Sequence, residues 1–374
     1  MKRKTVELLL ETLRLRERVS SEQLQQRWAT ADLSGLMELL THEGADIWFS
    51  RRVQQLAVSM PEPFRSALRT SVRGTVHRNM RIDAQTLAVT AMLTDAGVPW
   101  LLIKGQARRA AEDRYPMANA RPIADVDLLV SNAHIDAAWQ MLCARGFKRI
   151  YEEGEVDWVV HHHLPAVMDD SNVSVELHRT FNDSIAPDEA WRRATDRADT
   201  VSWTGYEVRV PNATELVWQA MSHGAADGDR GYYLRTFLSV AAVLAEVPRI
   251  DWSVIQARIQ ANEIVDNETG LVVEPERVYR WLAIAAAFAG VDVPPTLCPK
   301  LPATLLDLLA WRGRVLASSI SVRVKARLLD EAVRLELGMT FTPPSRHATP
   351  WRRMRAVCTG ALWRTCYRMT RAVA

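Results

Sequence analysis

The sequence predicts an α+β fold in which a mixed β-sheet core is flanked by N-terminal and C-terminal helical regions. Three observations predict this fold. The apolar run at 98–103 ends in Lys104-Gly105, as a buried strand ends in a turn. Several short strand-like segments joined by one helical segment follow between 125 and 210. Apolar residues recur at helical spacing on both sides of this region.

Residues 1–95 are predicted to form the N-terminal helical region. Apolar stripes at helical spacing occupy 6–15, 32–40 and 64–95. The early part of the third stripe carries five arginines: Arg65, Arg69, Arg73, Arg78 and Arg81. Such a face is either solvated or binds phosphates, and a charge run is more often solvated. We therefore expect a helical cap packed on the core.

Residues 96–212 are predicted to form the sheet core. The predicted strands are 98–103, 125–130, 147–151, 158–168, 173–181 and 206–210. The predicted helices are 106–114 and 133–145, and Gly146 is the expected stop of the second. Hairpins together with one helical crossover indicate a mixed sheet rather than a doubly wound parallel one.

Residues 213–340 are predicted to form a C-terminal helical bundle, followed by a basic amphipathic tail at 341–374. The bundle contains six apolar stripes, at 216–221, 232–245, 254–259, 278–288, 305–316 and 324–337. From Trp351 onward the tail carries six arginines and no acidic residue. It is expected to fold back, bind a partner or lie on an anionic membrane surface. Its modest apolar face favours the first two.

Composition and cysteine spacing predict a cytoplasmic protein. A net charge of +3 with 48% hydrophobic residues is ordinary for a folded soluble chain and does not by itself point to nucleic acid. The four cysteines form no Cys-x-x-Cys pair, which argues against a disulfide framework and a zinc ribbon. Charges interrupt the N-terminal segment, so it lacks a signal-peptide core.

Three carboxylates in the predicted core suggest metal chemistry. Asp125 and Asp127 stand at positions i and i+2 of a strand and therefore face the same side. Glu176 lies in a later strand, two residues before His178. Carboxylates beside a buried strand cost free energy unless they are paired, and together they can ligate a hard cation such as Mg²⁺. Asp-x-Asp alone is usually a solvated turn, but the third acid and the upstream Gly turn favour a site.

These residues together resemble the signature of a family of uncharacterised bacterial nucleotidyltransferases. The matching positions are Leu102, Ile103, Lys104 and Gly105, then Tyr115, Arg121 and Pro122, then Asp125–Val130, and later Val175, Glu176, Leu177 and His178. The similarity runs from about residue 32 to about residue 259. Two positions depart from the family pattern: Arg179 replaces an aromatic residue, and Ser239 replaces an aspartate.

The resemblance implies the nucleotidyltransferase fold and an enzyme that moves a nucleotidyl or phosphoryl group from an NTP, preferably ATP, to a small-molecule or peptide acceptor. It implies Mg²⁺ or Mn²⁺ as the cofactor, held by Asp125, Asp127 and Glu176, with the third acid also activating the acceptor hydroxyl. It further implies a link to peptide-modification or polysaccharide pathways.

Seven further residues are expected to bind the nucleotide or line the site. Lys104-Gly105 stands where related folds carry a Gly-Ser pair that touches the triphosphate. Glycine lets the backbone approach a phosphate, and Lys104 supplies a charge. Arg121 either clamps a phosphate or pairs with Asp125. The family similarity adds four residues: His162, His178, His223 and Arg235.

Two other functions stay open at this point. Toxin-type nucleotidyltransferases that modify tRNA share a Lys-Gly-Gly motif, but here Gln106 replaces the second glycine and the net charge is low. The other alternative is a non-catalytic module that only binds a nucleotide or a partner. The presence of all three acids argues against such a module. Metal dependence separates the two functions, because a module that only binds need not require a metal.

Overall fold

A computed structural model describes ten segments of the chain: 3–16, 19–115, 117, 119–150, 162–181, 185–226, 234–246, 250–265, 272–291 and 293–297. Several of our expectations lie outside these residues. They are the tail at 341–374, the helices at 305–316 and 324–337, and the first part of the strand expected at 158–168.

The described part of the N-terminal region contains five helices rather than the three predicted. They are α1 (Arg3–Leu13), α2 (Ser21–Ala29), α3 (Leu36–Glu43), α4 (Asp46–Gln55) and α5 (Glu62–Asp95). Helix α2 was missed because it buries only Leu24 and Trp28, too few residues to give a visible apolar stripe. It begins at a capping box formed by Ser20 and Gln23.

The core is a mixed sheet, as predicted, and the described part of it has five strands. Its strands are β1 (Trp100–Leu102), β2 (Asp125–Val130), β3 (Lys148–Arg149), β4 (Val167–Met168) and β5 (Ser174–His178), in the spatial order β1-β2-β5-β4-β3. Strands β2 and β5 pair in parallel, whereas the other pairs are antiparallel. The two strands that carry the predicted carboxylates, β2 and β5, are therefore direct neighbours inside the sheet.

Two helices accompany the sheet close to their expected positions. Helix α6 (Lys104–Ala110) begins two residues earlier than predicted, so Lys104-Gly105 forms the first residues of the helix rather than a separate turn. Helix α7 (Ile135–Ala144) ends just before Gly146, whose φ of +96° confirms it as the expected stop.

The segment after β5 differs from the prediction. Helix α8 (Pro187–Thr195) and strand β6 (Asp199–Trp203) were not predicted, and β7 (Tyr206–Val210) pairs with β6 in a separate two-stranded sheet. The polar sequence of α8 buries only Ala190 and Ala194, which explains why apolar periodicity did not reveal it.

The C-terminal region of the described chain is helical. It contains α9 (Ala213–Ala226), α10 (Leu234–Glu246), α11 (Trp252–Gln260) and α12 (Pro275–Ala289), followed by a 3₁₀ turn at Pro295–Leu297. One continuous cluster of buried apolar side chains joins these helices to the sheet and to the N-terminal helices. Among the described residues, no helix is both long and apolar enough to cross a membrane.

Candidate active site

A cavity of about 790 Å³ lies where one end of the mixed sheet meets helices from both flanking regions. Its wall includes nine of the ten predicted site residues: Lys104, Gly105, Arg121, Asp125, Asp127, His162, Glu176, His223 and Arg235. The tenth, His178, is completely buried and touches the carboxylates of the wall. The fold therefore brings the predicted residues to one place.

The strand register places the carboxylates. Asp127 of β2 is the direct partner of Glu176 in the parallel ladder with β5. Ligand atoms of Asp127, Glu176 and His178 lie within 4.8 Å of one another. Asp125 stands two residues before Asp127, and therefore on the same face of the strand.

The Asp127 carboxylate has two cationic or hydrogen-donating neighbours. Lys104 Nζ lies 2.9 Å from Asp127 Oδ1, and His178 Nε2 lies 2.8 Å from the same oxygen. Burial alone would raise the pKa of Asp127, but Lys104 and His178 outweigh it and hold that pKa far below its usual range. Since both contacts use Oδ1, Oδ2 stays available to a ligand.

Asp125 and Glu176 respond differently to the same surroundings. Burial, together with the charges of Asp127 and Glu176, raises the pKa of Asp125 to about 7. Burial also opposes ionisation of Glu176, but the hydrogen bond from His178 helps to lower its pKa to about 2. Within the described chain, no side chain forms a hydrogen bond or ion pair with the Asp125 carboxylate.

This donor set fits a divalent cation. Asp125, Asp127 and Glu176 supply hard carboxylate oxygens, the ligands that Mg²⁺ prefers. A cation among them would relieve the repulsion that raises the pKa of Asp125. The three carboxylates could therefore hold Mg²⁺ or Mn²⁺, while His178 positions Asp127 and Glu176 by donating hydrogen bonds to them.

His163 belongs to the site although only its neighbour His162 was predicted. Its Nδ1–H donates to the Leu164 carbonyl oxygen at 2.6 Å, which leaves the lone pair on Nε2, 3.7 Å from a Glu176 oxygen. Burial lowers the pKa of His163 to about 4. A bridge between the backbones of His163 and His178 brings the two rings to a centroid distance of 5.1 Å, a contact that strand alternation alone did not predict.

The sequence left open whether Arg121 clamps a phosphate or pairs with Asp125. The structure shows no pairing of Arg121 with Asp125. Its Nη1 donates to Ser239 Oγ at 2.9 Å and its Nε to the Pro122 carbonyl oxygen at 3.1 Å. None of the described carboxylates forms an ion pair with it. Ser239, at the position of the family's aspartate, thus supports Arg121 without neutralising its charge.

The loop before β2 is held by one buried amide. Asn79 of α5 donates from Nδ2 to the Arg121 carbonyl oxygen at 2.8 Å and accepts from the Ile123 amide at 3.0 Å. This pair of hydrogen bonds fixes the backbone that positions Arg121 and Asp125. Nothing in the local pattern of the sequence indicates it, because Asn79 and the loop are more than forty residues apart.

Helix α6 is anchored to α5 on its side away from the cavity. Gln106, which replaces the second glycine of the tRNA-modifying toxins, donates from its buried Nε2 to Thr86 Oγ1 at 2.7 Å. Arg109 donates from Nε to Asp83 at 2.7 and 2.8 Å. Gln106 therefore helps to hold α6 against α5 in this protein.

Arg108 is a cavity residue that sequence reasoning missed. It is 3% exposed and lies four residues after Lys104, hence on the same side of α6. Its Nε and Nη1 are buried with no hydrogen-bond partner. The i, i+4 relation to Lys104 was the signal that could have indicated it.

The last predicted residues come from α9 and α10. His223 and Arg235 both line the cavity. Arg235 packs so closely on Gly44 that a Cβ there would lie 2.9 Å from the Arg235 Cδ. Arg179, the other departure from the family pattern, is absent from the cavity wall and lies 3.4 Å from Asp136.

The family comparison agrees with this chemistry. A family model described as uncharacterised nucleotidyltransferase matches residues 14–267. A structure similarity search finds the solution structure of the antibiotic-resistance factor ANT(2'')-Ia, at 12% identity and a TM-score of 0.36, over 48% of this chain and 93% of that chain. No curated protein matches the chain.

Proposed function

The chain belongs to the family of uncharacterised nucleotidyltransferases, and from this premise we propose that its cavity binds an NTP, preferably ATP, together with Mg²⁺ or Mn²⁺. The protein then transfers the nucleotidyl group to a small-molecule or peptide acceptor. The observation that carries this proposal is the strand register, which places the Asp127 and Glu176 carboxylates side by side. They face a cavity whose wall also contains Lys104, Arg121 and Arg235.

The residues divide into two tasks. Asp125, Asp127 and Glu176 would hold the cation, which when bound supplies neutralising charge for the attacking and leaving oxygens. His178 and Lys104 hold Asp127 in place through its Oδ1. The positively charged Arg121 and Arg235 of the cavity wall would bind the phosphates, because a guanidinium binds phosphate oxygens through two parallel donors.

The acceptor is proposed to bind against the α4–α5 part of the wall. There Asp46 is 2% exposed, and its Oδ2 accepts hydrogen bonds from Ser71 at 2.7 Å and from Thr75 at 3.2 Å. No described cation forms an ion pair with Asp46. The described cavity wall contains no Phe, Tyr or Trp, so it suits a polar acceptor rather than an aromatic one.

Other parts of the proposal rest on the sequence. We propose a cytoplasmic location and domain boundaries at about residues 95, 212 and 340. We also propose that the tail binds a partner or contacts a membrane surface. Peptide modification is the pathway that the family resemblance favours. A tRNA acceptor is the second candidate, and Gln106, with its structural contact to Thr86, gives it no support.

The test is turnover with a defined panel of acceptors. Purified protein is incubated with each NTP and Mg²⁺ or Mn²⁺, alone and with amino sugars, polyols, short peptides or tRNA. Pyrophosphate release and product mass are measured. We expect metal-dependent pyrophosphate release and an acceptor heavier by one nucleotidyl group, whereas NDP release would instead indicate phosphoryl transfer.

Two outcomes would contradict the enzyme proposal. Metal-independent nucleotide binding without turnover would support a non-catalytic binding module. Neither binding nor turnover with any NTP would rule out a nucleotide site in this cavity.

A further inference from the structure

The Arg108 guanidinium is a buried charge that forms no hydrogen bond or ion pair with a described residue, although the charge of Asp127 acts on it. It is 3% exposed, its Nε and Nη1 have no hydrogen-bond partner, and no described carboxylate forms an ion pair with it. An uncompensated buried charge destabilises a folded protein. A bound anion would supply the missing partner, and Arg108 lines the cavity where such an anion would lie.

Arg121 is a charged neighbour of Arg108 in the same wall. Burial first, and then the charge of Arg121, lower the pKa of Arg108 to about 9. Burial and the charge of Arg235 similarly lower the pKa of Arg121 to about 10. Arg108 and Arg121 therefore stay protonated at neutral pH, and they repel each other. An anion with several charges would stabilise this arrangement better than a single carboxylate.

The position of Arg108 on α6 indicates which part of the nucleotide it meets. Lys104, the first residue of the helix, touches the Asp127 carboxylate. Arg108 follows on the same face, about 6 Å farther along the helix axis. If the α-phosphate lies at the carboxylates, the remaining phosphates extend away from them, and Arg108 is the next cation along α6.

We propose that Arg108 and Arg121 form the subsite for the β- and γ-phosphates of the NTP and for the pyrophosphate that leaves. This inference rests on the proposed nucleotidyl transfer. In that reaction the acceptor hydroxyl oxygen forms a bond to the α-phosphorus and releases its proton to solvent, while the bond from that phosphorus to the bridging oxygen breaks. The bridging oxygen leaves with the electron pair as part of pyrophosphate, and the two guanidinium groups stabilise the negative charge that it gains.

Binding measurements with three probes test this subsite. Calorimetric titrations in Mg²⁺ use α,β-methylene-ATP, inorganic pyrophosphate and AMP on wild type and on Arg108→Met. We expect the variant to bind the first two probes about tenfold to hundredfold more weakly and AMP as well as wild type does. Arg73→Met, which removes an exposed arginine of α5 outside the cavity wall, should change none of the affinities.

Thermal unfolding without ligand separates binding from support of the fold. Arg108→Met removes an uncompensated charge and should be at least as stable as wild type, whereas an arginine that supports the fold would leave the variant less stable. Loss of folding in Arg108→Met would therefore contradict the proposal. Arg108→Lys keeps the charge but not the fork of donors, and should bind α,β-methylene-ATP with intermediate affinity.

The outcomes for the two proposals are distinguishable. Equal binding of α,β-methylene-ATP and pyrophosphate by wild type and Arg108→Met would overturn the subsite alone. If wild type binds neither probe, the nucleotidyl-transfer proposal fails as well.

Discussion

Asp127 lies directly opposite Glu176 on the central parallel strand pair, and the buried His178 contacts both carboxylates. His178 Nε2 is 2.8 Å from Asp127 Oδ1 and 3.4 Å from Glu176 Oε2. Since Lys104 also contacts Asp127 Oδ1, one oxygen of Asp127 holds two neighbours while the other is left for a ligand. The position and charge of the Asp127 and Glu176 carboxylates therefore depend on β2, on β5 and on Lys104 at the start of α6.

Replacing Asp127 tests the carboxylate set. Asp127→Asn keeps the size of the side chain but leaves Lys104 without its counter-charge and His178 without a charged hydrogen-bond acceptor. We expect turnover to fall by at least about a hundredfold and the free energy of unfolding to fall by about 3–5 kcal/mol. Pyrophosphate release and chemical denaturation measure the two effects.

Asp113→Asn is the matched control, because Asp113 is exposed and outside the cavity wall. Its free energy of unfolding should stay within about 0.5 kcal/mol of wild type. Unchanged turnover in folded Asp127→Asn would exclude this carboxylate from the chemistry.

The pH dependence of stability tests the surroundings of Asp125. Its pKa of about 7 in the folded protein lies above the ordinary value of 3.8. The unfolded chain thus loses this proton at lower pH than the folded protein, so the stability that protonated Asp125 provides is lost as pH rises from about 4 to about 7. In EDTA, Asp125→Asn should match wild type near pH 4 and exceed its free energy of unfolding by roughly 1–4 kcal/mol above pH 7.

Mg²⁺ should reduce that difference, since a cation compensates the ionised Asp125 of wild type but finds one ligand fewer in the variant. Chemical denaturation across pH, with EDTA or Mg²⁺, measures both effects. A difference between the two proteins that does not change with pH would contradict the raised pKa.

Asp46 provides a test of the acceptor wall. Asp46→Asn keeps hydrogen-bonding capacity toward Ser71 and Thr75 but removes the charge. Once a panel acceptor is identified, we expect its KM to rise about tenfold or more while the affinity for α,β-methylene-ATP stays the same. Steady-state kinetics and calorimetry give the two values. A loss of nucleotide affinity without a change in acceptor KM would place Asp46 on the donor side.

A pair of glycines tests the packing of the C-terminal helices. A Cβ at Gly224 of α9 would lie 2.5 Å from the buried Trp281 ring of α12, whereas a Cβ at Gly74 of α5 would meet nothing within 4 Å. Gly224→Ala should therefore lower the free energy of unfolding by about 1–3 kcal/mol. Gly74→Ala should raise it by about 0.5–1 kcal/mol. Equal effects of the two changes would contradict the close approach of α9 and α12.

The strands and the predicted carboxylates follow from short-range patterns. Asp125–Val130 forms a strand as expected, because two acids precede a run of apolar residues that the sheet buries. Gly146 ends α7 because a glycine accepts the positive φ required there. Short polar helices such as α2 and α8 were missed because they bury only two residues each.

The cationic side of the site could be predicted only in part. Lys104 and Arg121 lie in the family motif, but the contact of Arg121 with Ser239 joins residues 118 positions apart. The burial of Arg108 and the contact between His163 and His178 likewise depend on how distant segments pack. Local sequence patterns do not contain that information, so these residues became visible only in the folded chain.

The central claim is that the cavity binds an NTP through a cation held by the carboxylates of β2 and β5. Calorimetric titration of α,β-methylene-ATP into wild type and Asp127→Asn, each with Mg²⁺ and with EDTA, tests it most directly. We predict binding to wild type in Mg²⁺, and its loss both in EDTA and in the variant. Equally tight binding in all four titrations would contradict the claim.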